Sequence, residues 1–169
     1  YHRPRLDSGE LDFREYWRES LRSYGFDPGE AQVARCADLD RRSWNAINET
    51  MVRWVARLGH TGRRLYLLSN MPREFYYDHV EQSGWYRLFH GGVISGLLGL
   101  VKPHRPIFEK LLELSETAPE RTLFIDDLLE NVEAARAAGL EAALFRSPEE
   151  TLPRLHEEYG LGQPGEAEG

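Results

Sequence analysis

Asp126 and Asp127 stand side by side at the end of a short apolar run, and a helical pattern begins directly after them. Leu123, Phe124 and Ile125 have strand character, while Leu128, Val132 and Ala135 recur at helical spacing. The pair therefore falls at the carboxyl end of a strand, the edge at which open α/β sheets hold their ligands. Adjacent carboxylates repel unless water or a cation neutralises them, and hard oxygen donors of this kind suit Mg²⁺. A solvated acidic turn opening a helix is the other reading, because a helix N-terminus favours negative charge. Two further polar stops sit at corresponding places: Ser69-Asn70 after the run Leu65, Tyr66, Leu67, Leu68, and Lys102-Pro103 ahead of a helical pattern. A hydroxyl with neighbouring backbone N–H groups binds a phosphate oxygen, a fixed ammonium offsets its charge, and the carboxylates hold Mg²⁺, which together make a phosphoryl-transfer site. Each member alone has an ordinary role. Ser69 and Asn70 suit a turn or helix cap, and Lys102 suits the surface. Asn131 is either a polar support for Lys102 and the carboxylates or a solvated helix residue. Their joint order is more specific than any one of them.

These residues converge only if the elements around them form a parallel sheet. From Arg63 onward, strand-like runs alternate with helical ones: 65–69, a helix from Pro72 with Phe75, Tyr76 and Val80, a short strand at Gly92 to Ser95, a helix with Ile107, Phe108 and Leu111, then the opening strand and helix, a strand at Ala142 to Phe145, and a last helix capped by Ser147. That alternation calls for parallel strands joined by right-handed crossovers. The first third is helical throughout. Asp12 and Glu15 form a capping box, and Phe13, Tyr16, Trp17, Leu21 and Tyr24 follow as one stripe ended by Gly25. Asp27, Pro28 and Glu30 read as N-cap, first-turn proline and N3 acid of a helix to about Leu39. A third helix is expected from about Ser43 to Leu58, carrying Trp44, Ile47, Met51 and Val55. The spacing of Trp17, Trp44 and Trp54 points to the core of a helical lid rather than a substrate platform.

The chain of 169 residues is sized for one medium domain, or a core with a small appendage. Its net charge of -7, with acids dispersed among the helices, argues against an extended nucleic-acid surface. Cys36 is the single cysteine, so neither an internal disulfide nor a cysteine zinc site can form, and a reducing cytoplasm is the expected compartment. No apolar run approaches the roughly 18 residues of a membrane span, and the first residues carry no signal-peptide core.

The stretches LLSNMP, GLVKPHRPIFEKLL and LFIDDLLENVEAARAAG resemble the second, third and fourth motifs of the haloacid dehalogenase-like (HAD) hydrolases, in the order and spacing of the subgroup with a helical cap. The resemblance implies an α/β fold with a Rossmann-like parallel core, an aspartate nucleophile, Mg²⁺ as cofactor and hydrolysis of a small phosphorylated metabolite. By motif matching, Ser69 with Asn70 would bind the transferring phosphoryl group and Lys102 would steady it. Asp126 and Asp127 would coordinate Mg²⁺, with Asn131 behind them. The acidic pair matches the phosphatase branch, since metal-free dehalogenases carry non-acidic residues there. The expected organisation is an irregular lead over 1–8, a helical cap over 9–60, an α/β core over 61–161 and a disordered tail over 162–169.

The family's first motif, an apolar strand ending in Asp-x-Asp, has no counterpart here. Asp38-Leu39-Asp40 is the sole Asp-x-Asp, and it lies in a segment of helical character beside two arginines. The first core strand, which in the family lies between the strands ending at Ser69 and Asp127, is therefore expected in about 30 to 50 residues ahead of Tyr1. A chain without it forms no phosphoaspartate. Two alternatives within the family stand beside the phosphatase: a catalytically silent or truncated module, and a metal-free haloacid dehalogenase. A response-regulator receiver would also place an acidic pair near Mg²⁺. It needs a further aspartate on a later strand, and none follows Asp127.

Overall fold

The computed structural model describes residues 3–44 and 46–162. The expected tail lies outside the described residues from 163 onward. The lead, expected to be irregular, holds a helical turn, α1 (Pro4–Asp7), opened by a proline at its first position and anchored by the fully buried Leu6. Four residues are too few to show a period, so packing rather than pattern makes this turn. In α2 (Phe13–Ser23) the expected capping box is present: the Asp12 carboxylate accepts the Glu15 N–H at 2.7 Å, and the Glu15 carboxylate accepts the Asp12 N–H at 2.9 Å. The next helix departs from expectation at both ends. α3 (Glu30–Ser43) starts at the residue read as its third, because Gln32 reaches back to the Gly29 N–H at 2.9 Å and makes Gly29 the cap.

α3 continues past Leu39 because of Asp40, which is buried at the centre of a polar cluster. Arg3 Nη1 donates to both Asp40 oxygens at 2.7 Å, and the indoles of Trp17 and Trp44 donate at 2.9 and 3.3 Å. The Arg3 guanidinium also lies 4.7 Å over the Trp44 ring. Asp40 is thus a helix residue that ties the chain's start to the two helices. Removing it leaves the nearly enclosed Arg3 guanidinium with the longer Asp7 pair, at 3.9 Å, and the Trp44 ring, so Asp40→Ala is expected to cost about 3 kcal/mol, the lower end for a broken buried pair, in a urea unfolding titration. A loss below about 1 kcal/mol would show that the cluster contributes little.

The expected helix from Ser43 is interrupted. Trp44 ends α3, Ile47 is exposed, and α4 (Glu49–His60) begins only after Asn48, whose side chain accepts the Met51 N–H at 3.1 Å. An asparagine able to cap overrides a continuous apolar spacing. The faces of these helices also divide differently from the expected boundary at residue 60. Phe13, Tyr16 and Ala37 of α2 and α3 pack with Met71, Phe75, Tyr76, Val80 and Ile94. Trp54 and Leu58 of α4 join Ala143, Leu152, Leu155 and Leu161. By packing, α4 belongs to the α/β body.

That body carries β1 (Tyr66–Ser69), α5 (Arg73–Phe75) running into a π-helical turn over Tyr76–Val80, β2 (Gly91–Ile94), α6 (Ser95–Leu98), α7 (Arg105–Ser115), β3 (Leu123–Asp126), α8 (Leu129–Ala137), β4 (Glu141–Leu144) and α9 (Pro148–Tyr159). All strand pairing is parallel, as the alternation requires. β1 pairs with β2, setting Ser69 opposite Ile94, and β3 pairs with β4, setting Asp126 opposite Leu144. Among the described residues these are two separate two-stranded sheets rather than one. Between them pack Val93, Ile107, Phe108, Leu111, Phe124, Val132, Ala135, Leu140 and Ala142, which join both sheets to α7 and α8. None of the described helices is long and apolar enough to cross a membrane.

Candidate active site

The carboxyl ends of β1 and β3 meet at Lys102. Its ammonium donates to Asp126 Oδ2 at 2.6 Å and to the Leu68 carbonyl of β1 at 3.2 Å, and it lies 5.5 Å over the Phe124 ring. Both side chains are nearly closed to solvent, at 8% for Lys102 and 6% for Asp126. An ion pair so enclosed feels a stronger field than one at the surface, and each member would be costly to bury without the other. Lys102 is reached from a loop rather than from a helix or strand, so something must hold its backbone. Asn70 does so from both sides: its Oδ1 accepts the Lys102 N–H at 2.8 Å, and its Nδ2 donates to the Lys102 carbonyl at 2.9 Å. The Lys102-Pro103 peptide bond is cis.

Asp126 is held as firmly. Its Oδ1 accepts the Leu128 N–H at 2.9 Å and the Asn131 Nδ2 at 2.8 Å, so with Lys102 it takes three donors. Asn131 is buried on the inner face of α8, and its own Oδ1 has no hydrogen-bond partner among the described residues. Asp127 is the opposite case: it is exposed, and its carboxylate makes no ion pair or hydrogen bond among the described residues. Likewise the hydroxyl of Ser69, half-buried at the end of β1, makes no hydrogen bond among the described residues. A fixed cation, an open carboxylate, an open hydroxyl and an unsatisfied amide oxygen thus lie where two strands end.

The donors fit Mg²⁺ in kind. That ion takes oxygen ligands, binds through one or two carboxylates and keeps several waters, so a cage of three or more carboxylates is not required, and none occurs among the described residues. The buried Asn131 Oδ1 without a partner is the observation that favours a cation or its water at this spot.

A cleft of about 100 Å³ opens beside Lys102, lined by Asn70, Val101, His104, Leu128 and Asn131 on one side and by Arg3, Pro4 and Asp7 on the other. The second wall was not legible in the sequence, where residues 1–8 carry no period. The one local signal is the proline that opens α1. Sequence reasoning also missed Ser95, which is fully buried between the cleft-forming segments. Its signal is a Ser-Gly pair after an apolar run, parallel to Ser69-Asn70. His104 is exposed at the cleft rim.

A family model described as haloacid dehalogenase-like hydrolase matches residues 8–139. Over 109 residues the chain is 31% identical to a sesquiterpene phosphatase of Aspergillus oryzae, covering 64% of this chain and 52% of that protein. The chain thus spans about half the length of that relative. Among solved structures it is similar to a predicted HAD-like family hydrolase from Porphyromonas gingivalis, with a TM-score of 0.69 and 24% identity, covering 90% of this chain and 76% of that one. It is also similar to a HAD family enzyme of Bacteroides thetaiotaomicron in complex with magnesium and inorganic phosphate, with a TM-score of 0.63 and 20% identity, covering 84% and 73%. At these identities the structural likeness is one of fold.

Proposed function

The chain belongs to the haloacid dehalogenase-like hydrolases, and from that membership we propose that it serves a Mg²⁺-dependent phosphatase acting on a small phosphate monoester. The observation that carries this reading is the buried Lys102–Asp126 pair at 2.6 Å, set beside the open carboxylate of Asp127. A silent scaffold has no physical reason to bury an ammonium at the meeting of two sheets. The open carboxylate, a hard oxygen donor beside that pair, favours a metal-dependent reaction over the metal-free dehalogenase.

In this reading the nucleophile is an aspartate on a strand from a segment preceding Tyr1, seated between β1 and β3, which do not pair with each other. Its attack on phosphorus gives a phosphoaspartate that water then hydrolyses. Lys102 keeps its ammonium against the phosphoryl oxygens and offsets the charge that develops on them. Ser69 donates its hydroxyl to the same group. Asn70 contributes through its backbone N–H, because its side-chain amide is committed to Lys102. Asp127, with no other partner among the described residues, would hold Mg²⁺ directly, while Asp126, already holding three donors, orients the site and Asn131 steadies it. Mg²⁺ when bound supplies charge neutralisation for phosphoryl transfer. α1 to α3 act as the cap that excludes bulk water, and a reducing cytoplasm keeps the lone Cys36 as a thiol.

The likeness to a sesquiterpene phosphatase makes a sesquiterpene phosphate a substrate to try beside p-nitrophenyl phosphate. The full-length protein is expected to release inorganic phosphate from p-nitrophenyl phosphate in Mg²⁺ and to stop when EDTA is added. Absence of phosphate release from both esters by a folded, Mg²⁺-supplied full-length protein would refute the assignment. Release of chloride from 2-chloropropionate without metal would replace it with the dehalogenase reading.

A further inference from the structure

Ser95 follows β2, on the segment that leads to Lys102, and its side chain is completely enclosed. Its hydroxyl accepts the Met71 N–H at 2.9 Å and donates to the Asp7 carbonyl. Met71 is the residue after Asn70, and Asn70 grips the Lys102 backbone from both sides. Asp7 ends α1, the turn that lines the far wall of the cleft. One hydroxyl therefore bonds the loop that holds Lys102 to the entry of the cap.

The surrounding backbone is fitted to the same junction. The Gly96 N–H donates to the Met71 carbonyl at 3.1 Å, and Arg73 Nε donates to the Gly96 carbonyl at 3.1 Å. A Cβ on Gly96 would come within 2.4 Å of the Arg73 nitrogen, and one on Gly9 within 2.5 Å of the Gly96 oxygen. Three segments, 7–9, 71–73 and 95–96, thus meet with no room for a side chain at Gly9 or Gly96, and the Ser95 hydroxyl bonds Asp7 to Met71 beside the Gly96 bonds to Met71 and Arg73.

We propose that Ser95 is a positioning residue that couples the cap-entry turn to the Asn70–Lys102 clamp, so that the placement of the ammonium follows the placement of the cap. The ligand through which this is read, phosphate, rests on the phosphatase reading; the mechanical coupling does not. When the turn carrying Asp7 shifts, Ser95 transmits the shift to Met71 and so to the loop that sets Lys102. Without the hydroxyl the direct bond from Asp7 to Met71 is lost, and the two walls of the cleft are coupled more weakly, through the Gly96 contacts.

The test uses the full-length protein and compares wild type with Ser95→Ala and Ser95→Cys by amide hydrogen exchange and by titration with inorganic phosphate in Mg²⁺. In Ser95→Ala the Met71 amide loses its direct partner. The coupling further predicts that the Lys102 amide, held by Asn70 and not by Ser95, exchanges about tenfold faster, the scale of one lost hydrogen bond. Phosphate affinity is expected to fall about as much, with Ser95→Cys, a weaker donor of similar size, falling between the two. If Met71 exchanges faster while the Lys102 amide and phosphate affinity stay unchanged, Ser95 merely fills space and the proposal is overturned. If the Lys102 amide responds but wild type binds no phosphate, the coupling stands and the phosphatase reading fails. Should Ser95→Ala not fold, Ser95→Cys carries the same comparison.

Discussion

Lys102→Met in the full-length protein is expected to lower turnover of p-nitrophenyl phosphate by about 10² to 10³-fold, the scale of removing one preorganised charge-stabilising group. The reason is geometric: the ammonium is held 2.6 Å from Asp126 Oδ2 and 3.2 Å from the Leu68 carbonyl, and no other cation is within bonding distance of Asp126 among the described residues. The same substitution leaves the Asp126 carboxylate buried without its counter-charge, which costs about 3 to 5 kcal/mol in comparable pairs. The lower part of that range applies here, because the Leu128 N–H and Asn131 Nδ2 still donate to Oδ1. Denaturant midpoints measured beside turnover separate the two effects. A folded Lys102→Met protein with wild-type turnover would remove Lys102 from the reaction.

The acidic pair should split under substitution. Asp127→Asn touches an exposed side chain with no partner among the described residues, so stability should stay within about 0.5 kcal/mol of wild type. Mg²⁺ binding and Mg²⁺-dependent turnover should be lost, because the amide keeps one oxygen but no charge. Asp126→Asn should behave differently. It breaks an enclosed ion pair and places an NH₂ or an uncharged oxygen against Lys102, so unfolding resistance and activity should fall together. Titrating Mg²⁺ into each variant, with urea unfolding on the same samples, reads both quantities. Equal destabilisation by the two substitutions, or an unchanged Mg²⁺ requirement in Asp127→Asn, would show that the roles assigned to the two carboxylates are wrong.

Much of this architecture is written in local patterns. The Asp12–Glu15 capping box, the strand of β1 ending at Ser69 and the strand of β3 ending at Asp126 each depend on neighbours within a few residues, and the spacing alone locates them. Where sequence reading misplaced an element, either an unrecognised local cap sets the start, as at Gly29 and Asn48, or a distant contact outweighs local spacing. α3 runs through Asp40 because Arg3, Trp17 and Trp44 converge there. α4 joins the body because Trp54 and Leu58 find Leu152 and Leu155 at the other end of the chain. An apolar stripe says that a face is buried but not which partner buries it.

The same division holds at the site. The sequence by itself determined the chemical kinds and their order along the chain: a hydroxyl, an ammonium and two carboxylates, each at a turn after an apolar run or before a helix. Those kinds are the ones a phosphoryl-transfer site draws on besides its nucleophile, because charge and donor type reside in the side chain. Only the tertiary structure decided how the kinds are used. It closed the Asn70 amide around the Lys102 backbone, gave Asp126 three donors and left Asp127 open, and set Ser95 between Asp7 and the Met71 amide that follows Asn70. Hydrogen bonds act over about 3 Å in fixed directions, so the partners that bring Lys102 to Asp126 and Ser95 to Asp7 are settled by packing across 24 to 88 residues of chain, while Leu128 and Asn131 reach Asp126 from within its own turn and helix.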